Sequence, residues 1–368
     1  MKVICNTKVL KEAVMIAERN TSKNQTLQVL SCLFIEASEQ NKLKIKSTNL
    51  EIAVEINIPA KIESIGSIVL PAKNLSMFIS NISEENIAIQ NQNNNIFIKT
   101  QNTKTVLKGL NPEDFPLFPK TGEVSLVNFN GYEFKEALSS VIGSSSLSDI
   151  KPELASVYLR FFKNSVKFAA TDSFRLSEKD LVSKENYSDK LISILIPQKS
   201  VIEILRIISE EEKINIGFNK NFLVLNTGSI KLISRLVEGI FPDYDQIIPK
   251  NFKTNILVKY EEFTRSIKIA SSLSGRLNDI NLEFDPQKKL ISFYTSNSDI
   301  GEHNSEIHGE VTGDKLKVKY NWKYLFDGVS GIKSEYLNLG LNGDNLPMII
   351  KGKGDNSFLY LIMPMRGV

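Results

Sequence analysis

Apolar residues recur with helical spacing in six separate stretches of the chain. In most of them positions i, i+3, i+4 and i+7 are apolar, which places these side chains on one face of a helix. The stretches occur as three pairs, so the pattern predicts three modules with two helices each. The apolar positions are Leu10, Ala13, Val14 and Ala17; Leu75, Phe78, Ile79 and Ile82; Phe134, Ala137, Leu138 and Val141; Val201, Ile204, Leu205 and Ile208; Phe263, Ile267 and Ala270; and Trp322, Leu325, Phe326 and Val329.

Short runs rich in β-branched residues lie between these stretches and predict strands. Because helices are few and strands many, each module is predicted to be an antiparallel α+β unit with two helices packed on antiparallel sheets. The Asn-rich stretch 91–95 and the Lys-Gly-Lys-Gly stretch 351–354 are predicted to be hairpin turns. In the first module, helices are predicted at 7–19 and 73–82, and strands at 2–6, 31–37, 43–47, 52–58, 67–70, 87–90, 96–100 and 106–110; the last predicted strand of the chain is 357–362.

The chain contains an internal repeat with a constant offset of 126 residues. The sequence LPAKNLSMFISNISEEN at 70–86 returns as IPQKSVIEILRIISEEE at 196–212, and Phe115-Pro116 returns as Phe241-Pro242. A register kept without a gap over this length indicates a repeated structural unit. We therefore expect three modules, at 1–122, 123–249 and 250–368.

Composition sets limits on location and on nucleic-acid binding. The 368 residues include 45 basic and 42 acidic side chains, a net charge of +3. This balance is too even for tight nonspecific binding of nucleic acid over the whole surface, so any such contact requires a local basic face. The chain lacks a long apolar run and a signal-peptide pattern, and it has two cysteines, which together predict a cytoplasmic protein.

The sequence offers little catalytic chemistry. His303 and His308 are five residues apart in a polar stretch, without a carboxylate pair or a cysteine framework beside them. No nucleotide-binding or nucleophile motif occurs in a suitable context. The acidic groups Glu84-Glu85 and 210–212 follow the last apolar residue of a helix, which favours solvated turns over a metal site. We therefore expect no catalytic residue, no cofactor and no metal.

Two surfaces remain as candidates. The second helices of the first two modules begin with Lys73 and Lys199, and Arg206 follows on the second of these helices. Singly, each suits a solvated helix face; together, such side chains form a basic lining that attracts phosphates without reading bases. The chain also ends on an apolar stretch, 361–365, which suits either a peptide-accepting groove or a terminal core strand.

Three strings resemble a known family. YLIMPMR at 360–366, ATDSFRL at 170–176 and FPDY at 241–244 closely resemble the bacterial DNA polymerase III β sliding clamp, and the resemblance spans the chain. It implies a non-catalytic processivity factor that acts as a head-to-tail homodimer. Six modules would form a pseudo-six-fold ring around duplex DNA, with helices inside and sheets outside. It also implies association with the nucleoid.

The resemblance implies a peptide-binding groove between the second and third modules. Its partners would be the polymerase III catalytic subunit, the clamp loader, and other polymerases and repair proteins. DNA-facing positions would include Lys23, Lys73, Lys199 and Arg206. The groove residues implied by motif position are Leu154, Thr171, Ser173, Phe174, Arg175, Leu176, Pro242, Gln246, Ile247, Asn321, Tyr324, Leu346, Met348, Ile362, Met363, Pro364, Met365 and Arg366.

Some positions depart from the family pattern. The family often has Gly-His at Ser173-Phe174 and Arg at Gln246, and many members end at Arg-Leu where this chain continues from Arg366 to 367–368. These departures predict a persistent groove with altered peptide preference. Two other hypotheses stay open from the residues alone: a peptide-binding adaptor that never encloses DNA, and an enzyme that uses Glu210 or Glu211.

Overall fold

A computed structural model describes residues 1–22, 27–38, 41–182, 192–209 and 213–365. The chain divides into two compact units. One comprises Met1–Tyr132 with Ile202–Leu236, and the other comprises Glu133–Val201 with Val237–Val368. Within the described ranges, no helix is both long enough and apolar enough to cross a membrane.

Six α-helices lie in the described part of the chain, as the periodicity predicts. The first matches its predicted bounds. The second ends at Ser80, before the predicted end, because the side-chain amide of Asn81 donates to the Met77 carbonyl at 2.7 Å and closes the last turn. The helices are α1 (Thr7–Arg19), α2 (Ala72–Ser80), α3 (Gly131–Ile142), α4 (Gln198–Ile207), α5 (Tyr260–Ser271) and α6 (Trp322–Ser330).

The predicted apolar faces of the helices are mostly buried. In α1, α3 and α5 every predicted position is buried, whereas Phe78, Leu205, Trp322 and Phe326 are half-buried. Ile82 lies beyond the end of α2 and is also half-buried. Burial of one apolar stripe against a sheet supplies most of the stability of such short helices.

The strands, in chain order, are β1 (Lys2–Asn6), β2 (Cys32–Ser38), β3 (Lys42–Thr48), β4 (Ile52–Pro59), β5 (Lys61–Ser64), β6 (Gly66–Pro71), β7 (Asn86–Gln92), β8 (Asn95–Lys99), β9 (Lys104–Lys108), β10 (Ser125–Asn130), β11 (Ser156–Phe161), β12 (Ser165–Thr171) and β13 (Arg175–Val182). They continue with β14 (Ile192–Pro197), β15 (Lys213–Phe218), β16 (Phe222–Thr227), β17 (Ile230–Arg235), β18 (Thr254–Lys259), β19 (Asp279–Asp285), β20 (Leu290–Asn297), β21 (Gly301–His308), β22 (Glu310–Thr312), β23 (Leu316–Asn321), β24 (Tyr336–Leu341), β25 (Met348–Gly352) and β26 (Phe358–Ile362).

The first unit contains two antiparallel sheets. A five-stranded sheet has the order β5-β1-β7-β8-β9, and an eight-stranded sheet has the order β10-β15-β16-β17-β4-β3-β2-β6. In the larger sheet β17 pairs with β4, from Ile230 opposite Ile56 to Ser234 opposite Ile52. The sheet therefore joins strands from the first and second predicted modules through main-chain hydrogen bonds.

The second unit also contains two antiparallel sheets. A nine-stranded sheet has the order β14-β11-β12-β13-β26-β25-β24-β18-β22, and a four-stranded sheet has the order β21-β20-β19-β23. Strand β13 pairs with β26, from Arg175 opposite Ile362 to Lys179 opposite Phe358. This pairing brings the ATDSFRL string and the last strand of the chain side by side.

The internal repeat corresponds to a repeated strand-to-helix turn. Strand β6 ends at Pro71 where α2 begins, and β14 ends at Pro197 where α4 begins. Proline suits this position because it has no N–H to donate and its fixed φ fits the start of a helix. Phe115 and Phe241, the other repeated pair, are both buried.

Some local predictions hold and others do not. The turn between β7 and β8 has positive φ at Asn93 and Asn94, as a tight hairpin requires, so the Asn-rich turn is confirmed. Glu84 is not simply solvated, because it accepts a hydrogen bond from the Thr100 hydroxyl at 2.6 Å. Strand β5 was not predicted, because three of its four side chains are exposed and it has no apolar alternation. The acidic group 210–212 lies outside the described residues.

Candidate functional site

The turn between β12 and β13 is held by two side chains at its base. The Thr171 hydroxyl donates to the Arg175 carbonyl at 2.6 Å and accepts from the Ser173 N–H at 3.1 Å. Asp172 Oδ1 accepts from the N–H groups of Phe174 at 2.9 Å and Arg175 at 3.0 Å. The turn is thereby fixed, and it presents Phe174 with 61% of its surface exposed.

Ser173 adopts a backbone conformation that favours glycine. Its φ is +77°, in the left-handed region where a Cβ atom costs about 1–2 kcal/mol. We expect Ser173→Gly to raise the free energy of unfolding by about 0.5–1 kcal/mol, since glycine removes this strain but is itself more flexible when unfolded. Urea unfolding of the full chain measures the change.

Ser193 provides the matched control for that substitution. It lies in strand β14, is exposed, and has no positive φ. Ser193→Gly should lower the free energy of unfolding by about 0.5–1 kcal/mol, because glycine weakens a strand interior. If both variants shift stability in the same direction, backbone strain at Ser173 is not the cause.

Arg175 is a buried cation at the start of β13. Its Nε donates to Asp172 Oδ2 at 2.9 Å and its Nη1 to Asp327 Oδ2 at 2.6 Å. Its guanidinium carbon lies 4.1 Å from the centre of the Tyr324 ring, a cation–π contact. Burial alone would lower the pKa of Arg175, but the hydrogen bond to Asp327 and the neighbouring charges outweigh this and raise it. The group is therefore a permanent charge that ties the turn to α6.

The start of α6 forms the facing wall of the site. Asn321 is the N-cap, and its side-chain oxygen accepts from the Lys323 N–H at 3.0 Å. The Tyr360 hydroxyl donates to the Tyr324 carbonyl at 2.7 Å. Burial raises the pKa of Tyr360, so its hydroxyl stays protonated and able to donate. These contacts fix the backbone that carries the Tyr324 ring.

The last described residues run between the turn and strand β23. The Met363 N–H donates to the Phe174 carbonyl at 2.9 Å, and the Met365 N–H donates to the Lys319 carbonyl at 2.8 Å. Met363 also packs against a buried cluster that includes Leu176, Phe241 and Leu361. Residues 363–365 are therefore half-buried and held by main-chain hydrogen bonds on both sides.

These elements enclose a pocket of about 620 Å³. Two aromatic rings, two methionines and a proline make the lining mainly apolar, with a serine and an asparagine as polar points. A concave apolar surface with few polar groups is typical of a ligand site. The lining residues are Ser173, Phe174, Asn321, Tyr324, Met363, Pro364 and Met365.

The remaining residues implied for the groove do not line this pocket. One set is buried: Leu154, Thr171, Arg175, Leu176, Met348 and Ile362. A second set is exposed: Pro242, Gln246, Ile247 and Leu346. Gln246 donates to Asp243 Oδ2 at 2.7 Å. Arg366 lies outside the described residues.

The implied DNA-facing positions differ in their partners. Lys73 is exposed at the start of α2 and has no ion-pair partner among the residues that the structure describes. Lys199 is exposed at the start of α4 and pairs with Asp149 at 2.9 Å. Arg206 pairs with the largely buried Glu203, one turn earlier on α4. Lys23 lies outside the described residues.

Sequence reasoning missed the acidic residues of the site. Asp172 stands within the ATDSFRL string, and its position three residues before Arg175 is a signal for local pairing. Asp327 is 152 residues away from Arg175 in the chain. No local pattern indicates that contact, because it depends on the pairing of β13 with β26 and on the packing of α6.

Family profiles match along almost the whole chain. The profiles for the N-terminal, central and C-terminal domains of the DNA polymerase III beta subunit match residues 1–119, 128–243 and 245–366. The chain belongs to the DNA polymerase III beta subunit family. The resemblance noted in the three sequence strings is thus confirmed.

Individual relatives agree with this assignment. The chain is 27% identical to the beta sliding clamp of Staphylococcus aureus over 356 residues, which covers 94% of each chain. It is 25% identical to the crystal structure of the DNA polymerase sliding clamp of Bacillus subtilis, with a TM-score of 0.95 and full coverage of both chains. The DNA polymerase III beta subunit of Pseudomonas aeruginosa shares the fold, with 21% identity, a TM-score of 0.94 and full coverage of both chains.

Family membership establishes the general function. The protein is a DNA sliding clamp, the processivity factor of DNA polymerase III, and it is a non-catalytic subunit. Its fold, six helices on antiparallel sheets in the described residues, is the sliding-clamp fold. The hypothesis of an enzyme that uses an acidic cluster is therefore wrong.

Proposed function

We propose that two copies of the chain associate head to tail into a closed ring around duplex DNA, without reading its sequence. Each copy would contribute three modules, 1–122, 123–249 and 250–368, with helices toward the DNA. The ring would act in the cytoplasm, on the nucleoid. It would tether the polymerase III catalytic subunit, the clamp loader, and other polymerases and repair proteins to DNA.

Two open sheet edges carry the proposal of ring closure. Strand β9 ends the five-stranded sheet and β21 ends the four-stranded sheet, and neither has an outer strand partner among the described residues. The exposed side chains of β9 include Lys104 and Lys108, whereas those of β21 include Glu302 and Glu306. Unpaired edges invite pairing with another chain, and opposite charges favour these two edges over two like ones. A contact between different surfaces of identical copies closes into a ring when the rotation allows it.

The apolar pocket supports a role in peptide binding. We infer that all eighteen residues named from the family resemblance contribute to the groove, with the pocket at its centre. An aromatic or leucine side chain of a partner suits the space between Phe174, Tyr324 and Met363, because buried apolar anchors dominate such contacts. The exposed ring of Phe174 enlarges the apolar wall where the family often has histidine, so peptides with larger apolar anchors are favoured.

The helix faces support weak contact with DNA. Lys73 and Lys199 occupy equivalent positions at the starts of α2 and α4. Repeated single charges attract the phosphate backbone without fixing a register on it. With Lys23 and Arg206, they would line the hole of the ring and leave the DNA free to move through it.

Release from a linearised circle tests the ring. The clamp is loaded on nicked circular DNA, and the circle is then cut once with a restriction enzyme. A topological ring is retained on the circle and slides off after the cut, because only the ends of the DNA allow escape. Equal retention on circular and linear DNA would contradict enclosure. A monomer in sedimentation without retention on the circle would favour the peptide-binding adaptor instead.

An edge variant provides the control for this assay. Replacement of Lys104 and Lys108 by glutamate places four like charges across the proposed junction, and this variant should sediment as a monomer and lose retention on circles. Combination with Glu302→Lys and Glu306→Lys restores opposite charges and should restore both properties. Failure of the combined variant to recover, with an intact fold, would place ring closure elsewhere.

A further inference from the structure

Glu203 joins two arginines from different helices. Its Oε2 accepts from Arg19 Nε at 3.4 Å, and its Oε1 accepts from Arg206 Nη1. Arg19 lies in the last turn of α1, and Arg206 lies one turn after Glu203 on α4. The glutamate is 8% exposed, while the side chains of Arg19 and Arg206 are 34% and 53% exposed. A carboxylate thus lies beneath two cations that reach the surface.

The arrangement reduces the charge that the two arginines present. The three side chains together carry a net charge of +1, whereas two unpaired arginines would carry +2. A nearby opposite charge that is shielded from water interacts more strongly than an exposed one. Arg19 and Arg206 therefore attract a phosphate less strongly than their number suggests.

Stability alone gives a weak reason for this glutamate. A buried ion pair contributes little net stability compared with an apolar side chain of similar volume, because both charges lose hydration. The internal repeat supplies a direct comparison, since Met77 of α2 occupies the position equivalent to Glu203. The same turn therefore forms in this protein without a carboxylate at that point.

We propose that Glu203 limits the affinity of the α1 and α4 surface for DNA phosphates by neutralising part of the charge of Arg19 and Arg206. This inference rests on the proposed function, in which these helices face the DNA. Glu203 is a positioning residue and does not itself contact DNA. Because Glu203 weakens the attraction between these arginines and the DNA phosphates, it favours movement of the ring along the duplex over tight binding.

Salt-dependent binding of Glu203→Gln tests the proposal. The probe is a fluorescent 30-base-pair linear duplex, and binding to the full-length dimer is measured by anisotropy across a series of KCl concentrations. Each phosphate contact that is gained steepens the slope of log K against log salt by about 0.9. We expect the slope to steepen by about 0.9 if the site of one protomer contacts the duplex and by about 1.8 if the sites of both protomers do. Binding near 0.1 M salt should become roughly tenfold tighter. Unchanged or weaker binding would overturn the inference.

Glu63→Gln is the matched control. Glu63 pairs with Lys2 at 2.7 Å on strands β5 and β1, so its replacement changes the net charge equally but leaves the Glu203 pairs of Arg19 and Arg206 in place. This control should leave the slope unchanged. If Glu63→Gln tightens binding as much as Glu203→Gln, total charge is responsible and the proposal fails.

A combined variant tests the route of the effect. With Arg19→Gln and Arg206→Gln already present, Glu203→Gln should no longer tighten binding, because no cation remains to be released. Persistence of the effect in that background would show that Glu203 acts otherwise and would overturn the proposal.

A second measurement applies if Glu203→Gln fails to fold. Arg206→Gln should then weaken DNA binding less than Lys73→Gln, because Lys73 has no ion-pair partner among the described residues. Equal losses for the two variants would contradict the inference. Release of the wild-type ring from linearised DNA separates these outcomes from a failure of the proposed function, since it does not depend on Glu203.

Discussion

Replacement of Arg175 by methionine is expected to lower the free energy of unfolding by about 2–3 kcal/mol. The substitution keeps much of the side-chain length but leaves Asp172 and Asp327 without their cation. Removal of one partner from a buried ion pair costs about 3–5 kcal/mol, and the 49% exposure of the Asp327 side chain reduces this figure. Urea unfolding of the full chain, followed by circular dichroism, measures the loss.

The same substitution should also weaken peptide binding. The Arg175 side chain stacks on the Tyr324 ring, and its Nε donates to Asp172, whose other oxygen holds the turn that carries Phe174, so both aromatic walls of the pocket depend on it. We expect at least a tenfold loss in affinity for a polymerase-derived peptide, equal to about 1.4 kcal/mol. Fluorescence anisotropy with a labelled peptide measures this loss in affinity, in buffer without denaturant and at a temperature at which the variant is folded.

Arg160 provides a close control for Arg175. It also forms an ion pair, with Asp245 at 3.1 Å, and a cation–π contact, with Phe162 at 5.1 Å, but its side chain is 28% exposed and that of Asp245 is 53% exposed. Exposed ion pairs contribute about 0.2–1 kcal/mol. Arg160→Met should therefore cost less than about 1 kcal/mol. Equal costs for the two variants would show that burial of the Arg175 network is not what stabilises it.

Removal of residues 363–368 is expected to abolish peptide binding while the dimer stays intact. The deletion begins directly after strand β26 and removes three of the seven residues that line the pocket, Met363, Pro364 and Met365. Because the lost side chains form one apolar wall, we expect affinity for the peptide to fall by at least about 100-fold, or 2.7 kcal/mol. Isothermal titration with a polymerase-derived peptide measures the loss.

Two observations on the truncated protein decide how that result is read. Sedimentation should still give a dimer, and loaded rings should still leave linearised DNA, because the proposed junction at β9 and β21 is unaffected. Unchanged peptide affinity would refute the assignment of the groove. Loss of the dimer together with peptide binding would show that the deletion acts on the fold as a whole.

Local patterns predicted the helices well because each has a strong apolar stripe. Helix α1 has its predicted bounds. The repeated turns at Pro71 and Pro197 follow a short sequence pattern in which a strand ends at a proline and a helix begins at the next residue. The spacing extends helix α2 to Ile82, whereas the observed helix ends at Ser80, because the side-chain amide of Asn81 caps its last turn. Periodicity identifies a face, whereas capping decides where the helix ends.

The same local patterns do not predict which strands pair when they are distant in the chain. Alternation within β4, β17, β13 and β26 indicates strands but not which strands are neighbours, because main-chain hydrogen bonding is the same for all sequences. These patterns therefore do not predict that the sheets continue across the predicted module boundaries. The assignment of individual groove residues came from resemblance to the family and not from periodicity, and it stays a prediction.

The pairing of β13 with β26 has a consequence for how a bound partner affects the protein. The pocket lies where β13 begins and β26 ends, with Phe174 just before β13 and Met363 just after β26. A peptide in the pocket would contact residues next to both strands, which are joined by five residue pairs. Separation of the two strands would then also disrupt the peptide's contacts. A bound peptide would therefore make local opening of the sheet less favourable.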